Sequence, residues 1–216
     1  MRLVDLSHVI RDGMVTYPGL PGPEIGEHLG WEDSWARYAP GTEFRIAQIS
    51  MVANTGTYLD TPAHRYREGW GIGELPLERA AAVPGVVADA AGPAIGPKAF
   101  AGLEVSGRAV LVRTGWSRHW GTERYGKPDH PYLTAEAAEA LVAARSAVVG
   151  IDSVNIDGTQ TGERPVHSAL LGAGIPIVEH LAALDELPAD GFEFFAVPPR
   201  VEGMGTFPVR AFAIVR

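Results

Sequence analysis

The segment Asn54-Thr55-Gly56-Thr57-Tyr58-Leu59-Asp60-Thr61-Pro62-Ala63-His64 constrains this chain more than any other, because ionisable residues sit there between residues that dictate backbone shape. Pro62 bars a helix interior and biases Thr61 toward extended geometry, while Gly56 admits a bulge or a close backbone approach. An extended run is therefore predicted. Side chains alternate there with period two, so Asn54, Tyr58, Asp60 and His64 would share one side. A carboxylate and an imidazole on one face are the raw material of a metal or acid–base site; the competing reading is that both satisfy turn hydrogen bonds around Pro62.

The 216 residues read as a single domain, 1–216, with no low-complexity linker. Hydrophobic residues make up 46% and charged residues 20%, a globular balance, and 26 Gly with 17 Pro predict a loop-rich fold. A formal charge of -8 argues against a nucleic-acid or anionic-membrane partner and leaves a small neutral or weakly charged molecule as the expected one. The absence of Cys excludes disulfides, thiolate zinc sites and Cys nucleophiles together, so any metal must use His and carboxylate. No run approaches the ~20 apolar residues of a membrane span, and a cytoplasmic location is expected.

Along the chain, Leu3 to His8 is strand-like, and 20–40 lacks periodicity and reads as a long loop carrying Trp31, Trp35 and Tyr38. Those rings either wall a pocket, dock on a second subunit or pack the loop on its own domain. A strand is predicted over 43–53, leading directly into the opening segment, and a short helix over 74–82. The clearest interior strand is Arg108 to Thr114, apolar without alternation and ending at Gly115-Trp116. His119 and Trp120 read as exposed loop residues, and His8 as a structural histidine. Thr134 caps an alanine-rich helix, a strand follows over 147–152, and Pro165 opens a helix that Gly172 and Gly174 close. Ile175 to Val178 is a strand that delivers Glu179 and His180 at its end. Strand, helix and strand in this order imply a partly parallel sheet.

The opening segment resembles the signature of the cyclase-like metal-dependent hydrolases, the family of bacterial kynurenine formamidase and isatin hydrolase, which reads His-x-Gly-Thr-His-x-Asp-x-Pro-x-His. Gly56, Thr57, Asp60, Pro62 and His64 match; Asn54 and Tyr58 stand where the signature has histidine. Gly150-Ile151-Asp152, His167 with Leu170-Leu171, and Ile177 to Leu181 are similar to the family's second block, and Pro198-Pro199 through Ala211 to its C-terminal part. The resemblance implies an α/β swivelling β/β/α domain, a mixed sheet core with flanking helices.

It also implies metal ligation at Asp60, His167 and Glu179, with His64 handling protons. Those three ligands suffice for one Zn²⁺ or Mn²⁺. Asn54 offers a neutral carbonyl and Tyr58 a phenol of ordinary pKa about 10, so neither replaces an imidazole at neutral pH and a second metal position is expected to be lost. Three functions stay open. One is a hydrolase of the N-formyl amide, cyclic amide or lactone of a small, aromatic metabolite, with His64 as general base and at most one metal. Another is a metal-free enzyme using Tyr58 and His64, and the third a silent small-molecule binding protein. Asn54, Trp31 and Trp116 are the candidate substrate-binding residues, and a homo-oligomer, dimer or tetramer, is implied.

Overall fold

The computed structural model describes residues 1–216. Its strands are β1 (Arg2–Asp5), β2 (Glu24–Leu29), β3 (Ile46–Ser50), β4 (Tyr58–Asp60), β5 (Val83–Asp89), β6 (Ala94–Ile95), β7 (Ala109–Arg113), β8 (Tyr132–Leu133), β9 (Val148–Ile151), β10 (Ile177–Glu179), β11 (Asp190–Phe195), β12 (Thr206–Pro208) and β13 (Phe212–Val215). The α-helices are α1 (Trp31–Ser34), α2 (Ala135–Ala143) and α3 (Pro165–Gly172). Nine strands form one sheet in the order β1-β13-β11-β5-β7-β9-β10-β4-β12. Pairing is parallel from β5 through β7 and β9 to β10 and antiparallel toward both edges, which gives the expected mixed α/β architecture. No helix is long and apolar enough to cross a membrane.

The central strands are buried on both faces, which is why β7 reads as an unbroken apolar run. Val110 and Val112 pack with Leu141 of α2 and Leu170 of α3, whereas Ala109 and Leu111 join Val87, Val178 and Phe194 on the opposite face. Thr134 Oγ1 accepts the Ala137 amide and so starts α2 as its sequence implies.

Several expected elements differ. Residues 20–40 are not one long loop but contain β2 and α1. The predicted strand over 43–53 shortens to β3, whose residues are all exposed and which pairs only with β2, a ribbon apart from the main sheet. The helix expected over 74–82 is a tight 3₁₀ turn at Leu77–Arg79, because Ala82 takes φ 52° and the chain turns into β5. His119 and Trp120 are not exposed loop residues: both are half-buried, His119 ending the 3₁₀ turn Trp116–His119, and His8 stacks on Trp120 with ring centroids 3.9 Å apart.

Candidate active site

The site forms at the β10-β4-β12 edge of the sheet, where the strand register decides which side chains meet. Tyr58 lies opposite Glu179, and Asp60 opposite Ile177 on one side and Thr206 on the other. Residues two apart on a strand share a face, so Tyr58 and Asp60 point together while Leu59 enters the core. The alternation predicted for the whole of 54–64 holds only over β4. Before it, Gly56 takes φ 68° with its amide donating to Thr16 Oγ1; after it, Pro62–His64 is a 3₁₀ turn that brings the His64 ring back beside Asp60.

His167 comes from the first turn of α3. Asp157 in the preceding loop accepts the Val166 amide at 2.8 Å, the His167 amide at 3.0 Å and His167 Nδ1 at 2.6 Å. One carboxylate thus starts the helix and orients the ring, leaving Nε2 as its free nitrogen. That Nε2 stands 3.8 Å from Asp60 Oδ2 and 3.8 Å from Glu179 Oε1. Burial opposes a charge on His167, but the Asp157 hydrogen bond and the Asp60 and Glu179 carboxylates outweigh it and raise its pKa to about 10.

A second relay fixes His64. The Thr206 hydroxyl donates to Asp60 Oδ1. Its one proton being spent, its oxygen accepts from His64 Nδ1 at 2.8 Å, an arrangement that in the neutral ring makes Nε2 the acceptor. Asp60 is fully buried, and its Oδ2 has no hydrogen-bond partner.

Glu179 is enclosed differently. Its Oε2 accepts the Tyr58 hydroxyl at 2.6 Å and its Oε1 the Ile156 amide at 2.7 Å. Burial, then the Asp60 charge, push its pKa up, against the pull of His167 and Tyr58. Tyr58 is itself buried, and desolvation, with the Glu179 and Asp60 charges, raises its pKa well above the phenolic value, so it stays a proton donor. Behind Tyr58, His180 at φ 57° presents Nε2 at 3.3 Å to the phenol oxygen and Nδ1 at 2.9 Å to the Tyr125 hydroxyl. The left-handed conformation at His180 turns its ring back toward the site.

Tyr58, His64, His167 and Glu179 line a cavity of about 390 Å³, together with Asn54 and Asn155 among others, and Asp60 lies buried behind them. Asn54, Tyr58, Asp60, His64, His167 and Glu179 therefore come together. Trp31 and Trp116 do not line it: Trp31 is exposed on α1, and Trp116 is buried against Tyr125 and Val154, its Nε1 donating to Tyr125 O. Asp157, Thr206 and His180 were not singled out as site residues in the sequence. Their only signal was the residue type, since each acts through a turn or a register that spacing does not encode.

The donor set fits a divalent cation. Asp60, His64 and His167 each offer one ligand atom such that all lie within 4.8 Å of one another. An unpartnered buried carboxylate oxygen beside an imidazole whose other nitrogen is hydrogen-bonded suits a metal ion, and without one a protonated His167 supplies the opposing charge. Glu179 lies outside that group, although its Oε1 is as near to His167 Nε2 as Asp60 Oδ2 is.

The Cyclase family model, described as "Putative cyclase", matches residues 4–158. Among relatives, kynurenine formamidase of Salinibacter ruber is 26% identical over 219 residues, 98% of this chain and 96% of that protein. A kynurenine formamidase of Bacillus cereus is 26% identical over 210 residues, covering 96% and 95%. Among solved structures, isatin hydrolase A from Labrenzia aggregata bound to benzyl benzoate superposes with a TM-score of 0.81 at 28% identity, over 99% of this chain and 93% of that one. A structure described as a potential metal-dependent hydrolase with cyclase activity superposes with a TM-score of 0.81 at 25% identity, over 100% and 98%. With its sheet, its site and a match reaching from residue 4 to residue 158, this chain belongs to the Cyclase family.

Proposed function

We propose that this chain hydrolyses a carbon–nitrogen bond other than a peptide bond, the N-formyl or cyclic amide of a small aromatic metabolite or the related lactone, with at most one metal ion per chain. The observation that carries this reading is the unpartnered, buried Asp60 Oδ2 set 3.8 Å from His167 Nε2 beside a cavity of about 390 Å³, room for a small molecule. Kynurenine formamidases and an isatin hydrolase among the relatives support the bond type.

Asp60, His167 and Glu179 would hold a zinc or manganese ion. Such an ion supplies carbonyl polarisation and a water of lowered pKa. His64 is the proton carrier: its ring is the most exposed of the group, at 33%, and Thr206, itself bonded to Asp60, engages its Nδ1 and leaves Nε2 toward the cavity side free of a protein partner. Tyr58 restrains Glu179, and Asn54 faces the cavity with an amide suited to orienting a substrate carbonyl. Because the Tyr58 proton is already committed to Glu179, the metal-free alternative with Tyr58 as oxyanion donor has less support.

Turnover of N-formylanilides and of isatin, measured after chelation and after addition of Zn²⁺ or Mn²⁺, tests this reading. Metal-dependent release of the amine or ring-opened acid is expected. Binding without turnover under every condition would mean a silent binding protein instead.

We further propose that the chain forms a dimer or tetramer through the β2–β3 ribbon. A two-stranded ribbon is marginal alone, and this one exposes the cross-strand pair Ile25 and Ile49 together with Ile46. Sedimentation should give a multiple of 23.0 kDa that Ile25→Lys with Ile49→Lys reduces to the monomer.

A further inference from the structure

We infer that the cavity takes a substrate bearing a carboxylate, which Arg65 and Arg164 recognise at its rim. This deepens the amide-hydrolase reading and rests on it for the reacting bond. Both arginines line the cavity, and neither forms an ion pair with a carboxylate, in a chain that carries a formal charge of -8. An uncompensated arginine in an acidic protein has many neighbours it could have paired with. Two of them lining one cavity give that part of its wall a positive field.

Both are held in place rather than free to swing. Arg164 Nη1 donates to Gly158 O at 3.3 Å, Thr161 O at 2.8 Å and Glu163 O at 2.6 Å, which leaves Nε and Nη2 uncommitted. Arg65 Nε donates to Ser168 Oγ at 3.2 Å, leaving Nη1 and Nη2. Ser168 belongs to α3, so the helix that carries His167 also positions Arg65, while the loop carbonyls of 158–163 just before it position Arg164. In sequence each arginine accompanies a site histidine, Arg65 directly after His64 and Arg164 three residues before His167.

The cavity is therefore polarised. Its inner wall carries Glu179, with Asp60 behind, and its rim carries two planar cations, so an anionic substituent is repelled from the reacting end and attracted to the opening. A ring with a carboxylate and an N-acyl group satisfies both ends, since the rim fixes the carboxylate and the amide points inward to His64 and His167. The free edges of the guanidinium groups match the flat, two-oxygen carboxylate better than a lysine would.

The test compares N-formylanthranilate with its neutral isostere, N-formyl-2-aminobenzamide, on wild type, Arg65→Gln, Arg164→Gln and the double variant. Wild type should show kcat/KM about tenfold or more in favour of the carboxylate, the range expected for charge-assisted hydrogen bonds. Each single substitution should lower that preference mainly through KM, the double variant should erase it, and Arg164→Lys should restore part of it. Equal use of both substrates by wild type, or equal losses on both in the variants, overturns the inference. If neither compound is turned over, the hydrolase reading fails, and calorimetry with anthranilate and 2-aminobenzamide then decides: tighter anthranilate binding that the double variant loses upholds the inference, and equal binding overturns it.

Discussion

Tyr58 and Glu179 face each other across β4 and β10 in register, and the phenol donates to the carboxylate at 2.6 Å. Both side chains are almost wholly buried, so each depends chiefly on the other as a partner. Tyr58→Phe should leave Glu179 Oε2 and His180 Nε2 without this partner and cost about 1–3 kcal/mol, the penalty for unsatisfied buried polar groups. Urea unfolding measures it; an unchanged midpoint at an unchanged slope would mean that the bond contributes nothing.

His8 makes the protein acid-sensitive. Burial lowers its pKa to about 4 from an ordinary 6.5, and its Nε2 is buried without a partner. The folded pKa lies below the unfolded one, so between pH 6.5 and about 4 the unfolded chain takes up a proton that the native one refuses. Stability is therefore lost as pH falls through that window. Allowing for the ring's partly exposed edge, the loss should reach roughly 2 kcal/mol at pH 4. His8→Phe retains a ring against Trp120 and removes the titration, so its unfolding free energy should fall less between pH 7 and pH 4; an identical fall would assign the sensitivity elsewhere.

Gly205 holds the turn that carries His64. A Cβ there would overlap the His64 amide nitrogen and come within 2.7 Å of His64 Cα, both backbone atoms that cannot swing aside. Gly205→Ala should displace the turn, destabilise the fold by about 1–3 kcal/mol and depress turnover. Gly26→Ala, where a Cβ meets nothing within 4 Å, is the control and should leave turnover near normal. Equal behaviour of the two variants in unfolding and kinetics would rule out the close approach as a constraint.

His64 and Asp60 should separate in their effects. Asp60→Asn removes a charge from the cation position and should abolish metal retention, read by elemental analysis. His64→Ala should keep the metal and lower turnover about 100-fold or more, the usual contribution of a positioned proton carrier. If His64→Ala loses the metal as well, His64 is a ligand and not the proton carrier.

The legible parts of this chain were those governed by short-range rules. The buried β7, the Thr134-capped α2 and the Pro165-led α3 follow from apolar runs, caps and breakers, and each forms close to its expected bounds. The motif also pointed to Asp60, His64, His167 and Glu179, and the fold brings them together. What stayed illegible depends on pairing between distant strands. Thr206 reaches Asp60 from 146 positions away through β12, and the Tyr58 bond to Glu179 spans 121. Trp31 and Trp116 were candidates on ring chemistry alone, and local sequence does not tell a ring that packs from one that lines a cavity. A strand around β3 was legible, but β2 was hidden because it pairs only with β3, outside the main sheet that a core pattern would mark.

The proposed cation position is single and rests on Asp60, His167 and Glu179. Amide hydrolysis by chelator-stripped protein, titrated with Zn²⁺ or Mn²⁺ while bound metal is counted, tests it directly. Activity should rise linearly, break at one equivalent per chain and stay flat beyond it. A break at two tightly held equivalents, or full activity in stripped protein, would contradict it.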